Sequence, residues 1–78
     1  MPTISRVRGY RFFFFSNEGH EPPHVHVESG DAHAKFWLER VQLAQSVGYH
    51  AAELTRLRNL VREHQESFME KWDEYFGR

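Results

Sequence analysis

The apolar positions of the chain change their spacing once. From Thr3 to about Ser46, apolar and polar residues alternate with a period near two, which is typical of half-buried β-strands. From about His50 onward, the apolar residues recur every three, four or seven positions, which indicates one face of an α-helix. The predicted strands are Thr3–Arg8, Tyr10–Ser16, His24–Glu28, Asp31–Leu38 and, with a weaker pattern, Val41–Val47.

Turns that contain glycine join these strands into two hairpins. A turn at Arg8-Gly9 pairs Val7 with Tyr10, and a turn at Ser29-Gly30 forms the second hairpin. The run Phe12–Phe15 shows no alternation, so we expect its strand to lie inside the sheet with apolar contacts on both faces.

The C-terminal third of the chain predicts a helix that packs on one face of the sheet. A continuous helix from Ala51 to Phe76 would be about 39 Å long, whereas a compact domain of this size is only about 30 Å across. We therefore expect a break near His64-Gln65; the alternative is a projecting end that binds a partner. The residues predicted to be in the core are Leu54, Leu57, Val61, Phe68, Trp72, Tyr75 and Phe76.

These patterns predict an α+β fold in one domain, residues 1–78. The fold is a small antiparallel sheet of four to five strands, with the C-terminal helix, whole or broken in two, packed on one face. With 78 residues and a mass of 9.3 kDa, the chain can build one modest core and no second one.

Composition narrows the candidate functions. No apolar run approaches the roughly 20 residues that span a bilayer, and the formal net charge of −1 does not indicate a nucleic-acid-binding protein. The absence of cysteine excludes disulfides, zinc ribbons and thiol nucleophiles. We expect a cytoplasmic protein, because Arg6, Arg8 and Arg11 interrupt any signal-peptide pattern. The six histidines are the residues best suited to chemistry near neutral pH.

Strand geometry gathers three of these histidines. Alternate side chains of a strand point to opposite faces, so His24 and His26 share one face. With the turn at Ser29-Gly30, His26 lies opposite His33 and His24 lies opposite Lys35; a turn one residue later changes these partners and keeps the faces. We call the resulting surface, with His24, His26, His33 and Lys35, the histidine face. Arg11 and Phe13 are its predicted neighbours if the hairpins are adjacent, and His20 overhangs it from the preceding loop.

Three interpretations of the histidine face are open. In the first, it is a solvated polar surface. In the second, it is a metal site in which His24, His26 and His33 bind a divalent transition metal such as zinc, with Glu28 as a further ligand. In the third, the histidines supply general acid and base while Lys35 and Arg11 stabilise a phosphoryl group, as metal-free RNA cleavage requires. No cofactor is needed in the third case.

The chain resembles the family of small bacterial proteins known as domain of unknown function 4160. The resemblance rests on three segments: the opening Pro2-Thr3-Ile4-Ser5-Arg6, the aromatic strand that ends Phe15-Ser16-Asn17, and Pro22-Pro23-His24-Val25-His26-Val27. It continues through Ala34-Lys35-Phe36 and the closing helix. The resemblance implies a toxin of a type II toxin–antitoxin module, neutralised by an antitoxin encoded by a neighbouring gene. It also implies that His24 and His26 are functional residues.

We therefore expect a toxin that acts through the histidine face, with Arg11, His24, His26, His33 and Lys35 as candidate catalytic residues and RNA as a candidate substrate. Whether the protein is an enzyme stays open. The alternatives are a metal-binding module and an interaction module without catalysis, with a second copy of the chain as one candidate partner.

Overall fold

A five-stranded antiparallel sheet forms the first half of the protein. The structure, a computed structural model, describes residues 3–77. Its strands are β1 (Thr3–Val7), β2 (Tyr10–Phe13), β3 (His24–Ser29), β4 (Ala32–Trp37) and β5 (Gln42–Val47). They lie in the order β1-β2-β3-β4-β5, so each strand pairs with its neighbours in sequence. This confirms the predicted sheet and fixes its strand number at five.

The first hairpin has the predicted register. Val7 pairs with Tyr10 across the turn at Arg8-Gly9, where φ is 52° at Arg8 and 86° at Gly9. Positive φ at both central positions is typical of the two-residue turn that matches strand twist. Strand β2 lies between β1 and β3, as expected for the Phe12–Phe15 run, but it ends at Phe13 rather than at Ser16.

The second hairpin has the predicted faces, but its predicted register is wrong by two residues. The turn lies at Gly30-Asp31, so Ser29 pairs with Ala32, His26 with Lys35 and His24 with Trp37. Gly30 takes φ 55° in this turn, and the Ser29 hydroxyl lies 2.9 Å from the Tyr49 hydroxyl. A shift of two leaves every side chain on its face, because the strand period is two.

The C-terminal segment forms two helices, α1 (Ala51–Glu63) and α2 (Gln65–Phe76). The predicted break is confirmed at His64, where φ is −104° and ψ is 10°. The Gln65 side-chain amide donates to the carbonyl oxygens of Leu38 at 2.6 Å and Glu39 at 3.2 Å, which anchors the start of α2 to the turn after β4. No helix within residues 3–77 has the length and apolar character needed to cross a membrane.

The core lies between the helices and one face of the sheet. Its fully buried side chains include Phe12, Val25, Val27 and Phe36 from the sheet and Leu57, Val61, Phe68 and Trp72 from the helices. The prediction that Tyr75 belongs to the core is wrong, since Tyr75 is 43% exposed at the end of α2.

Candidate metal centre

The strand register places the histidine face on the side of the sheet away from Val25, Val27 and Phe36. The cross-strand pairs His24–Trp37, His26–Lys35 and Glu28–His33 follow one another along β3 and β4. Strand β2 pairs with β3, so Phe13 lies beside His26 and Arg11 beside Glu28. The two hairpins are therefore adjacent, and the prediction that Arg11 and Phe13 neighbour the histidine face is confirmed.

The loop between β2 and β3 adds a carboxylate that the strand pattern did not predict. Residues 14–23, which we call the site loop, begin with a short 3-10 helix at Ser16–Glu18. Oε1 of Glu18 lies 2.7 Å from Nε2 of His24 and 2.8 Å from Nε2 of His26. One carboxylate oxygen thus joins both histidines of the His-x-His segment.

His24 is the most enclosed member of this cluster. Its side chain is fully buried, and its ring lies 5.0 Å from the Trp72 ring of α2 and 5.6 Å from that of Trp37. Nδ1 lies 2.9 Å from the carbonyl oxygen of Pro22. A solvated polar surface therefore does not describe this residue.

The contacts of His24 determine where its protons lie. The Pro22 carbonyl can only accept, so Nδ1–H donates to it. Nε2 then faces the Glu18 oxygen, another acceptor, at 2.7 Å. Two acceptors at this distance require a proton or a metal cation between them.

His26 is held by aromatic rings. It is 12% exposed, stacks on Phe13 at 5.5 Å and lies nearly perpendicular to Phe15 at 4.5 Å between ring centroids. Burial lowers the pKa of His26 below its ordinary value and outweighs the opposing hydrogen bond and charge of Glu18.

Glu18 is ionised at neutral pH. Burial alone would raise the pKa of Glu18. The hydrogen bonds from His24 and His26 and the charges of these two residues lower it by a larger amount, so the net shift is downward. The cluster therefore combines a carboxylate with two imidazoles in a largely enclosed setting.

The structure places the other predicted site residues outside this cluster. His33 is exposed and is paired with Glu28 across the strands. Arg11 donates to Glu28 at 2.6 Å and Lys35 donates to Glu21 at 2.8 Å. Each cation thus has a carboxylate partner on the histidine face.

The cluster has the composition of a metal site. Among residues 3–77, the ligand atoms of Glu18, His24 and His26 all lie within 4.8 Å of one another. Two of the three predicted ligands, His24 and His26, belong to this set. The third member is Glu18 instead of the predicted His33. Glu28, the predicted fourth ligand, is bound to Arg11 instead.

Sequence reasoning missed Glu18 because the site loop has no periodicity from which to place a side chain. The available signal was position: the loop carries two carboxylates, Glu18 and Glu21, immediately before Pro22-Pro23-His24. Both fold over the histidine face, where Glu21 binds Lys35.

The fold and this cluster define a small α+β protein with a buried histidine–carboxylate site. The chain belongs to the family described as Domain of unknown function (DUF4160), whose family model matches residues 9–73. The matched segment includes the whole cluster. No curated protein and no solved structure matches the chain.

Proposed function

We propose that the protein binds a divalent transition metal ion, with zinc as the first candidate, through Glu18, His24 and His26. The observation that carries this proposal is the convergence of His24 Nε2 and His26 Nε2 on one carboxylate oxygen, at 2.7 and 2.8 Å. Two imidazoles and one carboxylate are the protein ligands of one class of zinc site and of the non-haem iron(II) sites.

The distances suit a metal after small rotations of the side chains. Ligand atoms about 2.0–2.2 Å from a tetrahedral ion lie about 3.3–3.6 Å from one another. The hydrogen-bonded oxygen and nitrogen atoms of the cluster are slightly closer than this, and all three lie within 4.8 Å of one another. An ion at the centre would replace the proton between His24 and Glu18, and the neutral His26 ring would carry its proton on Nδ1 so that Nε2 can coordinate.

The surroundings of the ligands also favour metal binding. Nδ1–H of His24 donates to the Pro22 carbonyl, which leaves Nε2 as the coordinating nitrogen. The lowered pKa of Glu18 keeps its carboxyl group ionised, and the lowered pKa of His26 keeps its ring neutral near neutral pH, so His26 adds no positive charge that would repel a cation.

Metal analysis of untagged protein tests the proposal. We expect about one equivalent of zinc per chain after incubation and desalting. Glu18→Gln and His26→Gln should each weaken zinc binding more than about 100-fold, because loss of an outer-shell partner alone costs 10–100-fold. His33→Gln, a histidine on the same face outside the cluster, is the matched control and should change the affinity less than about threefold.

Circular dichroism establishes that each variant is folded. Binding of less than a tenth of an equivalent by the wild type would contradict the proposal. An equal loss of affinity in the His33 variant would instead restore His33 to the ligand set.

The toxin function on RNA stays a prediction that rests on the resemblance to the family. Metal-free RNA cleavage would require Arg11 and Lys35 to leave Glu28 and Glu21 before they could stabilise a phosphoryl group. Growth of cells that express the chain, with and without the neighbouring gene, tests the toxin role. The interaction-module alternative and the cytoplasmic location likewise stay predictions.

A further inference from the structure

We infer that the metal centre keeps one coordination position open, and that this position takes an oxygen-donor group of a small molecule whose apolar part lies against Phe15. The inference rests on the proposed metal binding and adds the class of ligand. Three observations support it: the number of protein ligands, the uneven burial of those ligands, and a groove that lies beside His26.

The protein supplies three ligands. Within residues 3–77 no further imidazole or carboxylate joins Glu18, His24 and His26 in the cluster. The next carboxylate, Glu21, lies 4.0 Å from Nδ1 of His24, which is the ring nitrogen bound to Pro22, and its Oε1 accepts from Lys35 at 2.8 Å. Zinc takes four ligands in most protein sites, and three-ligand sites leave the fourth position to water or substrate.

The open position faces away from His24. The His24 side chain is 0% exposed, whereas the side chains of Glu18 and His26 are 22% and 12% exposed. The rings of Trp72 and Trp37 pack against the His24 ring. A small molecule can therefore reach the centre only past Glu18 and His26.

A groove of about 370 Å³ lies beside His26, which is the one ligand of the cluster among its lining residues. It is lined by Phe13, Phe15, His26, Glu28, His33 and Gln45. Its volume is within the range of small-molecule sites.

The groove walls indicate the chemistry of the ligand. Arg11 lies over Phe13 at 4.4 Å and His26 stacks on the same ring, so the edge of Phe13 rather than its face is available. Phe15 is half-buried and supplies the main apolar wall. The remaining lining residues, Glu28, His33 and Gln45, are polar. The ligand that fits has a metal-binding oxygen at one end and a flat apolar body.

Cobalt(II) substitution with two hydroxamates tests this inference, because cobalt reports changes of its ligands in its visible absorption. Acetohydroxamate and benzohydroxamate carry the same oxygen donors and differ in the phenyl ring. We expect both to change the cobalt spectrum, and benzohydroxamate to bind about tenfold more tightly because its ring is buried in the groove. Phe15→Ala should abolish this preference, so that the two hydroxamates bind with equal affinity.

Leu43→Ala is the matched control, since Leu43 is 41% exposed on β5 and does not line the groove. Full cobalt binding with a spectrum that neither hydroxamate changes would overturn the inference and leave metal binding intact. Equal affinities for the two hydroxamates, or removal of cobalt from the protein by either, would also overturn it. Absence of cobalt binding would overturn both the inference and the proposed function.

Discussion

Glu18 links the protonation of the two histidines in the absence of metal. Its Oε1 accepts from His24 and from His26, while the Pro22 carbonyl takes the other nitrogen of His24. His24 therefore has an acceptor at each nitrogen, and a proton or a metal ion must lie between it and Glu18. His33 shares the face of these residues but none of these contacts, because it is exposed and paired with Glu28. His24, His26 and His33 thus point to the same face of the sheet but differ in burial and in their hydrogen-bond partners.

The stability of the metal-free protein should fall in acid, in two steps. Burial lowers the pKa of His26 below 6.5, so the unfolded chain takes up a proton that the folded chain resists, and stability declines as the pH falls below 6.5. The lowered pKa of Glu18 adds a second decline as the pH falls below 4.5. The measurement is the free energy of unfolding in urea with a chelator present, between pH 7 and about pH 3, so that both declines fall within the range.

His26→Gln should remove the decline that begins below pH 6.5 and weaken the second one, because the hydrogen bond and charge of His26 help to lower the pKa of Glu18. His33→Gln is the control, because His33 is exposed, and it should follow the wild type. An unchanged slope in the His26 variant would contradict the assignment of the first step to this residue.

The site loop supplies Glu18, the carboxylate that joins His24 and His26 into one cluster. Its backbone is fixed by hydrogen bonds from Glu18 N to Phe15 O and from Glu21 N to Glu18 O, at 3.2 and 3.1 Å. The loop also packs against the end of α2 through Gly19, where a Cβ atom would lie 2.5 Å from Cδ1 of Phe76. The position of Glu18 therefore depends on the close fit between two elements far apart in sequence.

Strand periodicity predicted the faces of β3 and β4 but could not predict everything at the site. The period of two assigns His24 and His26 to one face, whereas turns at Ser29-Gly30 and Gly30-Asp31 give the same faces with different partners. The conformation of the site loop depends on packing against α2, for which the local sequence carries no signal. For this reason the predicted fold was confirmed while Glu18 was missed.

Gly19→Ala should displace the site loop. The backbone of Gly19, with φ −65° and ψ −14°, is ordinary for alanine, so the effect comes from the contact with Phe76 alone. Phe76 cannot move freely, because its ring packs on Trp72 at 4.2 Å between centroids. We expect a loss of about 1–3 kcal/mol of stability and about 10-fold weaker zinc binding, measured by urea unfolding and metal titration.

The double variant Gly19→Ala/Phe76→Ala is the control. Alanine at position 76 removes every atom that the added methyl group would meet, so zinc affinity should return toward the wild-type value. If the single variant binds zinc as tightly as the wild type, the contact with Phe76 does not position Glu18.

At the scale of the whole molecule, the break between the helices connects the fold to the site. A straight helix over these residues, about 39 Å long, would exceed the longest dimension of the molecule, which is 34 Å. The chain changes direction at His64, and Gln65 is hydrogen-bonded to the turn after β4. Helix α2 therefore packs against the sheet and does not project into solvent. Helix α2 then brings Trp72 against His24 and Phe76 against Gly19. The buried side of the candidate metal centre is therefore built by residues from both ends of the chain.

Because the ligands belong to the site loop and β3, and α2 packs against both, metal binding should stabilise the entire fold. An ion that binds only the folded state at 100 times its dissociation constant adds about 2.7 kcal/mol, which for a domain of this size raises Tm by about 10–20 °C. Thermal unfolding at increasing zinc concentration measures this, and a chelator should reverse it. His33→Gln should show the same rise in Tm and Glu18→Gln should show almost none. If the wild-type Tm stays constant although dialysis shows bound zinc, then zinc binds the folded and the unfolded chain equally well. That result would contradict binding at a site formed only in the folded protein.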